Sequence, residues 1–160
     1  MEEPTVVLKS ARLELEILST MSSKLNQASD AYSHELGAIE VELIKLNVGL
    51  EVELNTSLLE GELEEDVDED GIVKARYRLN RYLAYARQHN NWRLVVRLRR
   101  EYENDDGEIT RSVLLEQHPL VETSREVRLA AAGQILPLLQ AITKDAKTKL
   151  SALNEVIDRK

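Results

Sequence analysis

Three aspartates at alternate positions, Asp66, Asp68 and Asp70, stand directly before Gly71 in the stretch DVDEDGIVKARY. Carboxylates at this spacing, followed by a glycine that permits a sharp turn, are typical of loops that bind calcium. Such a loop also needs a bidentate glutamate at its twelfth position, where this chain has Tyr77. The residues after Gly71 alternate between apolar and polar, which indicates a strand where a calcium loop would have a helix. We therefore predict an acidic surface turn and no metal site, with a calcium-responsive module on the three aspartates as the less favoured alternative.

The charge of the chain changes sign just after this turn. Residues 51–70 contain ten acidic and no basic residues, whereas residues 74–100 contain nine basic and no acidic residues. On adjacent antiparallel strands such blocks face each other, so we expect Glu51, Glu53 and Glu116 to pair with arginines across the ladder. Exposed pairs of this kind contribute only about 0–1 kcal/mol each. The sequence therefore predicts a solvated, charged sheet face whose ion pairs help to set the register of the strands.

The basic residues of this face form a candidate partner-binding surface. Its members, on the outward side of the predicted strands, are Arg76, Arg78, Tyr82, Arg93, Arg97 and Arg99. Open sheets that bind RNA use cations for the phosphates and aromatic rings for the bases, so binding of RNA or single-stranded DNA is one hypothesis. The net charge of -8 disfavours nucleic acid in general. An acidic protein partner is the other hypothesis, and a solvated face with internal ion pairs is the interpretation that we favour.

Motifs of catalysis are missing from the sequence. The three histidines, His34, His89 and His118, do not share the spacing of metal ligands. The glycines are scattered singly, so they form no phosphate-binding loop, and no GxSxG-like turn presents a nucleophile. We therefore predict a protein that is not an enzyme, with no catalytic residues and no cofactor.

Composition bounds the class of protein. The 160 residues are enough for one domain, and its core must be aliphatic because phenylalanine is absent and tryptophan occurs once. The absence of cysteine fits a reducing compartment. The N-terminal stretch MEEPTVVLKS lacks the layout of a signal peptide, and the apolar window LAAAGQILPLL is too short to cross a bilayer. We expect an acidic, cytoplasmic protein that does not bind membranes.

The spacing of the apolar residues predicts a single α+β domain. It consists of a long N-terminal helix, a four-stranded antiparallel β-meander and a long C-terminal helix packed on one face of the sheet and on the first helix. The expected bounds are about 6–46 for the first helix, about 48–56, 72–88, 92–103 and 109–117 for the strands, and about 124–158 for the last helix. The sequence leaves open whether the first helix ends at Gly37 or near Leu46, and the continuous apolar seam favours the longer helix. Ser124 or Thr123 is expected to cap the last helix, and Pro137 is expected to kink it or to break one of its hydrogen bonds.

Alternation within the strands predicts which side chains face the core. Leu83 and Tyr85, followed by Leu94 and Val96 on the next strand, are expected on the inward side, and the arginines are expected outward. The stretches QHNNW and NDDGE between the alternating runs are predicted to be hairpin turns. The sheet should therefore have one apolar face and one charged face.

Both predicted helices are longer than a four-stranded sheet can cover. Their apolar residues recur at steps of three and four and form a seam along each helix. The seam residues singled out as binding candidates are Leu18, Met21, Leu25, Tyr32, Leu150, Leu153 and Ile157. Because an isolated helix rarely gains enough from propensity alone, such seams predict coiled-coil contact with a second copy or with another protein. The function that we expect is a non-catalytic interaction or adaptor module, a homodimer or the receptor of a protein partner, with the charged sheet face adding specificity.

Overall fold

A computed structural model of the chain describes the backbone of residues 4–157 and the side chains of residues 8–157. The chain contains two compact units, Met1–Gly37 and Ala38–Lys160. Helices flank an antiparallel sheet in the order of the chain, which confirms the predicted α+β fold. None of the helices in the described range combines the length and the apolar character that crossing a membrane requires.

The first helix, α1, spans Pro4–Leu46, so it continues through Gly37 as the apolar seam predicts. It ends where Asn47 adopts a left-handed φ of 43°. The N–H of Asn47 donates to the carbonyl oxygens of Leu43 and Ile44, both at 3.2 Å, and so occupies two acceptors at the end of the helix. Asparagine tolerates this backbone conformation better than most residues do, which explains why the helix stops here.

The sheet has five strands, one more than the sequence predicts. They are β1 (Val52–Leu59), β2 (Glu64–Val67), β3 (Val73–Gln88), β4 (Asn91–Glu103) and β5 (Ile109–Pro119). All neighbouring strands are antiparallel, and their order in space is β1-β3-β4-β5, with the short β2 also paired to β3. The structure confirms the positions of β3, β4 and β5, whereas β1 begins later than the predicted residue 48.

The additional strand, β2, consists of residues that the acidic pattern assigns to an exposed loop. Glu64 lies opposite Tyr77 in the ladder and Glu65 lies opposite Arg76. The Tyr77 hydroxyl donates to the Glu64 carboxylate at 2.7 Å, and the Arg76 guanidinium contacts Glu65 at 2.9 Å. These cross-strand contacts offset the low strand propensity of the acidic residues, which a local pattern does not reveal.

The two predicted hairpin turns are confirmed. Between β3 and β4 the left-handed φ of 55° falls on His89, not on the asparagines that follow it. Between β4 and β5 it falls on Gly107, with φ 78°. A third hairpin, between β2 and β3, turns at Gly71, also with φ 78°. Glycine reaches this conformation without the steric cost that a side chain would add.

The ladder between β3 and β4 separates an apolar face from a polar face. On the apolar face Leu83 lies opposite Val96 and Tyr85 lies opposite Leu94, and all four side chains are buried as predicted. The other side, which we call the polar face, carries the following opposite pairs: Arg76 and Glu103, Arg78 and Glu101, Asn80 and Arg99, Tyr82 and Arg97. The division of the sheet into two faces therefore agrees with the alternation of the sequence.

A β-bulge interrupts the pairing of β5 with β4. Glu116 lies opposite Leu98, but Leu114 lies opposite the next residue, Arg99, so that Leu115 is the extra residue. From Leu114 back to Arg111, the side chains change faces relative to a regular strand, and a second register shift restores the alternation at Ile109. This change places Ser112 opposite Glu101, on the polar face.

The C-terminal segment forms two helices where the sequence predicts one. After a short 3-10 turn at Leu120–Glu122, α2 spans Arg125–Ala132 and α3 spans Ile135–Ile157. The break falls at Gly133 and Gln134. The prediction that Pro137 kinks the helix is wrong, because Pro137 lies in the first turn of α3, where its missing N–H would have no helical partner. Residue 158 of the expected helix lies outside the described residues.

The start of α2 confirms one of the two predicted caps. The Ser124 hydroxyl accepts a hydrogen bond from the N–H of Val127 at 3.4 Å. Thr123 instead donates from its hydroxyl to the carbonyl of Leu120 at 2.7 Å and thereby closes the 3-10 turn. Thr123 thus ends the 3-10 turn, and the adjacent Ser124 begins α2.

The hydrophobic core lies between the sheet and the C-terminal helices. Both α2 and α3 pack on β1, and α3 also packs on β3. The buried apolar side chains of this segment recur at helical spacing and are Leu120, Val127, Ala131, Ile135, Leu138 and Ile142. Tyr85 is fully buried and stacks on Trp92 with ring centroids 5.6 Å apart. An aliphatic core with a single aromatic pair is what the composition predicts.

Candidate functional site

The residues singled out on the sheet are spread along the β3–β4 ladder, from Arg76 opposite Glu103 to Arg93 opposite Ala86, and they do not form a free cationic patch. Arg97 is the centre of the polar face, and only 8% of its surface is exposed. Its guanidinium contacts Glu51 at 2.6 Å, Glu53 at 2.9 Å and the side-chain oxygen of Gln117 at 2.8 Å. A charge so far removed from water is retained only where it is paired and hydrogen-bonded, and Arg97 meets both conditions.

Glu53 joins two of the predicted residues. One of its carboxylate oxygens accepts from Arg99 at 2.7 Å, and the other accepts from Arg97 at 2.9 Å and from Arg99 at 3.0 Å. Glu53 is positioned for this role because β1 pairs with β3 and places it opposite Ala84, on the polar face. The expectation that Glu51 and Glu53 pair with arginines is therefore confirmed, but the arginines lie on β4, beyond β3, and not on the strand adjacent to β1.

The remaining arginines of the candidate surface also have carboxylate partners. Arg76 contacts Glu65 at 2.9 Å and Asp105 at 3.1 Å. Arg78 contacts Glu103 at 2.7 Å and donates to the carbonyl oxygen of Gly61 at 3.3 Å. The two guanidinium groups are thus engaged with carboxylates of the protein, which competes with the binding of phosphate or of an acidic partner.

Arg93 connects the end of α1 to the sheet within the second unit. Its guanidinium contacts both oxygens of Glu40, at 3.1 and 3.3 Å. The buried Glu40 carboxylate also accepts the N–H of Leu94 at 3.2 Å. The pairing of β5 with β4 stops at Val95, opposite Pro119, so Leu94 has no strand partner there and Glu40 takes the place of one.

A second buried carboxylate, Glu101, anchors the other half of the polar face. It accepts hydrogen bonds from the Asn80 amide at 2.7 Å, from the Tyr82 hydroxyl at 2.8 Å and from the Ser112 hydroxyl at 3.4 Å. Burial and the hydrogen bond to Glu101 raise the pKa of the Tyr82 hydroxyl to about 12. Tyr82 therefore remains a protonated hydrogen-bond donor over the whole physiological pH range.

These contacts correct the expectation of a solvated outer face. Tyr82 and Arg97 are buried, as are Ala84 and Val95 beside them. The small apolar residues and the paired charges remove the centre of this face from water, because paired charges can be withdrawn from water where free ones cannot. The prediction that Glu116 pairs with an arginine is also wrong, because its carboxylate contacts the imidazole of His118 at 3.1 Å.

The network makes the free energy of unfolding at acid pH depend on the charge of Glu53. Burial alone would raise the pKa of Glu53, but the hydrogen bonds and positive charges of Arg99 and Arg97 outweigh it and lower that pKa below its ordinary range. A carboxylate whose pKa is lower in the folded state adds stability above its unfolded pKa, and this stability is lost as the pH falls through the folded pKa. Between pH 6 and pH 3 we expect the wild type to lose more free energy of unfolding than Glu53→Gln does.

The measurement is urea denaturation at several pH values in this range. Glu62→Gln, a change at an exposed carboxylate of the loop before β2, serves as the control and should leave the wild-type pH dependence unchanged. Parallel pH profiles for the wild type and Glu53→Gln would show that the charge of Glu53 does not stabilise the fold.

A cleft of about 480 Å³ opens on the polar face. It is lined by β1 and Glu60 of the loop after it, by Arg78 and Tyr82 of β3 and by Glu101 and Glu103 of β4. The loop is held at the cleft because the N–H of Gly61 donates to the Asn80 side chain at 3.0 Å. The polar side chains named here already bond to one another, so the cleft offers a ligand few groups that it would not have to displace.

The three aspartates of the calcium-like stretch lie in and after β2. Asp66 belongs to the strand, opposite Ala75. Asp68 uses one carboxylate oxygen to accept the N–H groups of Asp70 and Ile72, at 3.1 and 2.9 Å, which closes the turn. Within residues 8–157 no group of three acidic, histidine or cysteine side chains could hold a metal ion. The stretch is a hairpin turn stabilised by a local carboxylate cap, as turns beginning with aspartate commonly are.

The helix seams present a different kind of surface, which is apolar and exposed. Every residue of α1 from 8 to 28 is exposed. The large apolar side chains in this range are Leu8, Leu13, Leu15, Ile17, Leu18, Met21 and Leu25. Tyr32, the fourth predicted seam residue of α1, is only partly exposed.

The end of α3 is exposed in the same way. All residues from 147 to 157 are exposed, including the predicted seam residues Leu150, Leu153 and Ile157 together with Val156. Earlier in the same helix Leu138 and Ile142 are buried. The C-terminal seam therefore divides into a part that forms the core and a part that the sheet does not cover.

Several residues of the polar network are not found by reading the sequence. Glu40, Glu101 and Gln117 each meet their partners only through long-range strand pairing or helix placement. The one local signal is the charge boundary itself, which predicts that arginines meet glutamates but does not identify the pairs. Comparison of the chain with models of protein families, with curated proteins and with solved structures finds no match.

Proposed function

We propose that the chain is a non-catalytic interaction module that self-associates through its exposed apolar helix faces. The observation that supports this proposal most directly is the range from residue 8 to residue 28 of α1, in which seven large apolar side chains are exposed. Apolar surface that is contiguous to this extent is typical of interaction sites and rare on a monomer.

The energetics of a long helix favour the same proposal. A helical segment with no buried side chain depends on its intrinsic propensity, which is marginal in water. Burial of a leucine side chain contributes about 1.5–3 kcal/mol. Association of the exposed leucines of α1 would therefore stabilise the helix and remove its apolar surface from water in one step.

The contacts of the arginines on the sheet support the proposal, because they argue against the alternative, the binding of nucleic acid. Arg76, Arg78, Arg93, Arg97 and Arg99 all contact carboxylates of the protein itself. Nucleic acid would have to displace these carboxylates before it could bind, and the chain as a whole carries a charge of -8. We therefore assign the paired charges a structural role and assign binding to the helices.

The experiment that tests self-association is sedimentation equilibrium of the full chain over a range of micromolar concentrations. We expect a dimer or a larger assembly whose mass decreases on dilution. A monomer at every concentration would contradict the proposal. Because the apolar surface, not charge, carries the association, raising the salt concentration should not dissociate the assembly.

A further inference from the structure

One charged pair in α1 carries information about how two copies would align. The seam of α1 runs through Ala11, Glu14, Leu18, Met21, Leu25 and Ala28, at alternating steps of three and four, and all six residues are exposed. Glu14 is the single charged member of this set. Lys24 lies directly beside the seam, where its side chain lines a groove with Leu18, Met21 and Leu25.

Grooves flank Met21 on both sides. One is lined by Leu13, Ile17 and Met21 with two polar neighbours, and the other is the groove beside Lys24. Side chains of a second helix could insert into such depressions in the manner of knobs into holes. The flanking positions Leu15 and Ile17 are apolar as well, so a second helix would contact apolar side chains across the width of the seam.

In a parallel pair in register, each seam residue meets its own copy. Glu14 would then lie against Glu14 of the second copy, with the two carboxylates in one layer of the interface. Like charges in such a layer are destabilising, and Lys24 would be too far along the helix to compensate.

In an antiparallel pair the same seam becomes complementary. With Leu18 aligned to Met21 of the second copy, Ala11 meets Ala28, and Glu14 shares a layer with Leu25. At that layer Lys24 of the second copy lies on the same side of the interface as Glu14. Glu14 of each copy thus lies near Lys24 of the other. The dimer contains two such contacts, one at each end of the interface, as the two-fold symmetry of the pair requires.

We propose that two copies of this chain associate through an antiparallel pairing of their α1 seams, in which Glu14 of each copy is paired with Lys24 of the other. This inference rests on the proposed self-association and adds its surface, orientation and register. The occupant of the seam is a second copy, because the seam with its edge carries both members of each charge pair, Glu14 and Lys24, and therefore complements itself.

Cysteine cross-linking tests the orientation. The chain has no cysteine, so the variants Ala11→Cys and Ala28→Cys each carry a single thiol. The two variants are unfolded, refolded together and treated with a short bismaleimide. In the antiparallel dimer Ala11 lies next to Ala28 of the other copy, whereas two copies of the same residue are about 25 Å apart along the helix at ~1.5 Å per residue. We expect cross-linked dimers from the mixture and almost none from either variant alone.

The possible outcomes separate this inference from the proposed function. Cross-linking of each variant with itself would show a parallel pair, and a dimer that does not cross-link in any combination would place the interface elsewhere. Either result overturns the antiparallel seam but leaves self-association intact. A native chain that sediments as a monomer overturns both.

Charge reversal provides a second, independent readout. Glu14→Lys and Lys24→Glu should each weaken dimerisation about tenfold, since each places like charges at both ends of the interface. An equimolar mixture of the two variants should recover native affinity, because every contact between positions 14 and 24 then joins opposite charges. Failure of the mixture to recover would show that these two side chains do not meet.

Discussion

A chain in which Leu18 and Leu25 are both replaced by glutamine is expected to sediment as a monomer at concentrations where the native chain is associated. Both leucines are more than half exposed in the single copy, at 58% and 56%, so the substitutions remove little from its fold. In a symmetric dimer each substitution acts twice, and each buried leucine contributes about 1.5–3 kcal/mol. We expect the dissociation constant to increase by at least about 100-fold, with about 1.4 kcal/mol for each factor of ten.

The control for this experiment is Leu129→Gln. Leu129 is an exposed leucine of α2, outside both seams, and its replacement should leave the sedimenting mass unchanged. Circular dichroism of the double variant at low concentration should still show a folded sheet, because residues 18 and 25 lie in the first unit and the sheet lies in the second. An associated double variant would show that other surfaces, such as the end of α3, hold the copies together.

Arg97→Met is expected to destabilise the fold by about 3–5 kcal/mol, the usual consequence of removing one partner from a buried ion pair. Methionine keeps most of the volume of the side chain but none of the three contacts to Glu51, Glu53 and Gln117. The two carboxylates would lie beside an apolar side chain, and Glu53 would have to rely on Arg99 alone. The free energy of unfolding in urea measures the loss.

Arg76→Met is the matched control, because Arg76 also lies on the polar face and also contacts two carboxylates. Its side chain is 38% exposed and one of its partners, Asp105, is 97% exposed. Pairs that remain in water contribute about 0–1 kcal/mol, so this variant should unfold close to the wild type. Equal, small losses in the two variants would show that burial does not strengthen the Arg97 network.

The main elements of the fold can be predicted from the sequence because their signals are local. The seam from Leu18 to Leu46 predicts α1 across Gly37, and the alternation around Leu83 and Leu94 predicts β3, β4 and the face that they bury. Ser124 is identified as a helix cap by its type and its position before an apolar run. In each of these examples the residues that determine the element lie within the element itself.

The elements that the sequence misses depend on distant residues. The strand β2 forms because Glu64 and Glu65 find Tyr77 and Arg76 on β3. The break between α2 and α3 is stabilised by Gln134, whose side-chain amide donates to the carbonyl of Ser57 on β1 at 3.1 Å. Local propensity contains no information about either contact, and tertiary pairing decides both.

In the candidate site, too, a local pattern predicts some of the contacts and distant residues decide the others. The charge boundary predicts that Glu51 and Glu53 meet arginines of the sheet, and they do so at Arg97 and Arg99. Charged residues are normally exposed, so the pattern also predicts a solvated surface, and this second prediction is wrong. Burial of Arg97 requires Glu53 of β1, the preceding Glu51 and Gln117 of β5 to converge on it, which depends on the register of the whole sheet.

The bulge at Leu115 shifts the alternation of the side chains of β5 by one residue. From Leu114 back to Arg111, the side chains that meet the polar face are the ones that a regular strand would turn to the opposite side, and Ser112 reaches Glu101 for this reason. If Leu115 instead paired with Arg99 as in a regular strand, Val113 would lie opposite Glu101 and Ser112 would lie on the opposite face. One additional residue in β5 therefore determines which of its side chains can contact the polar network.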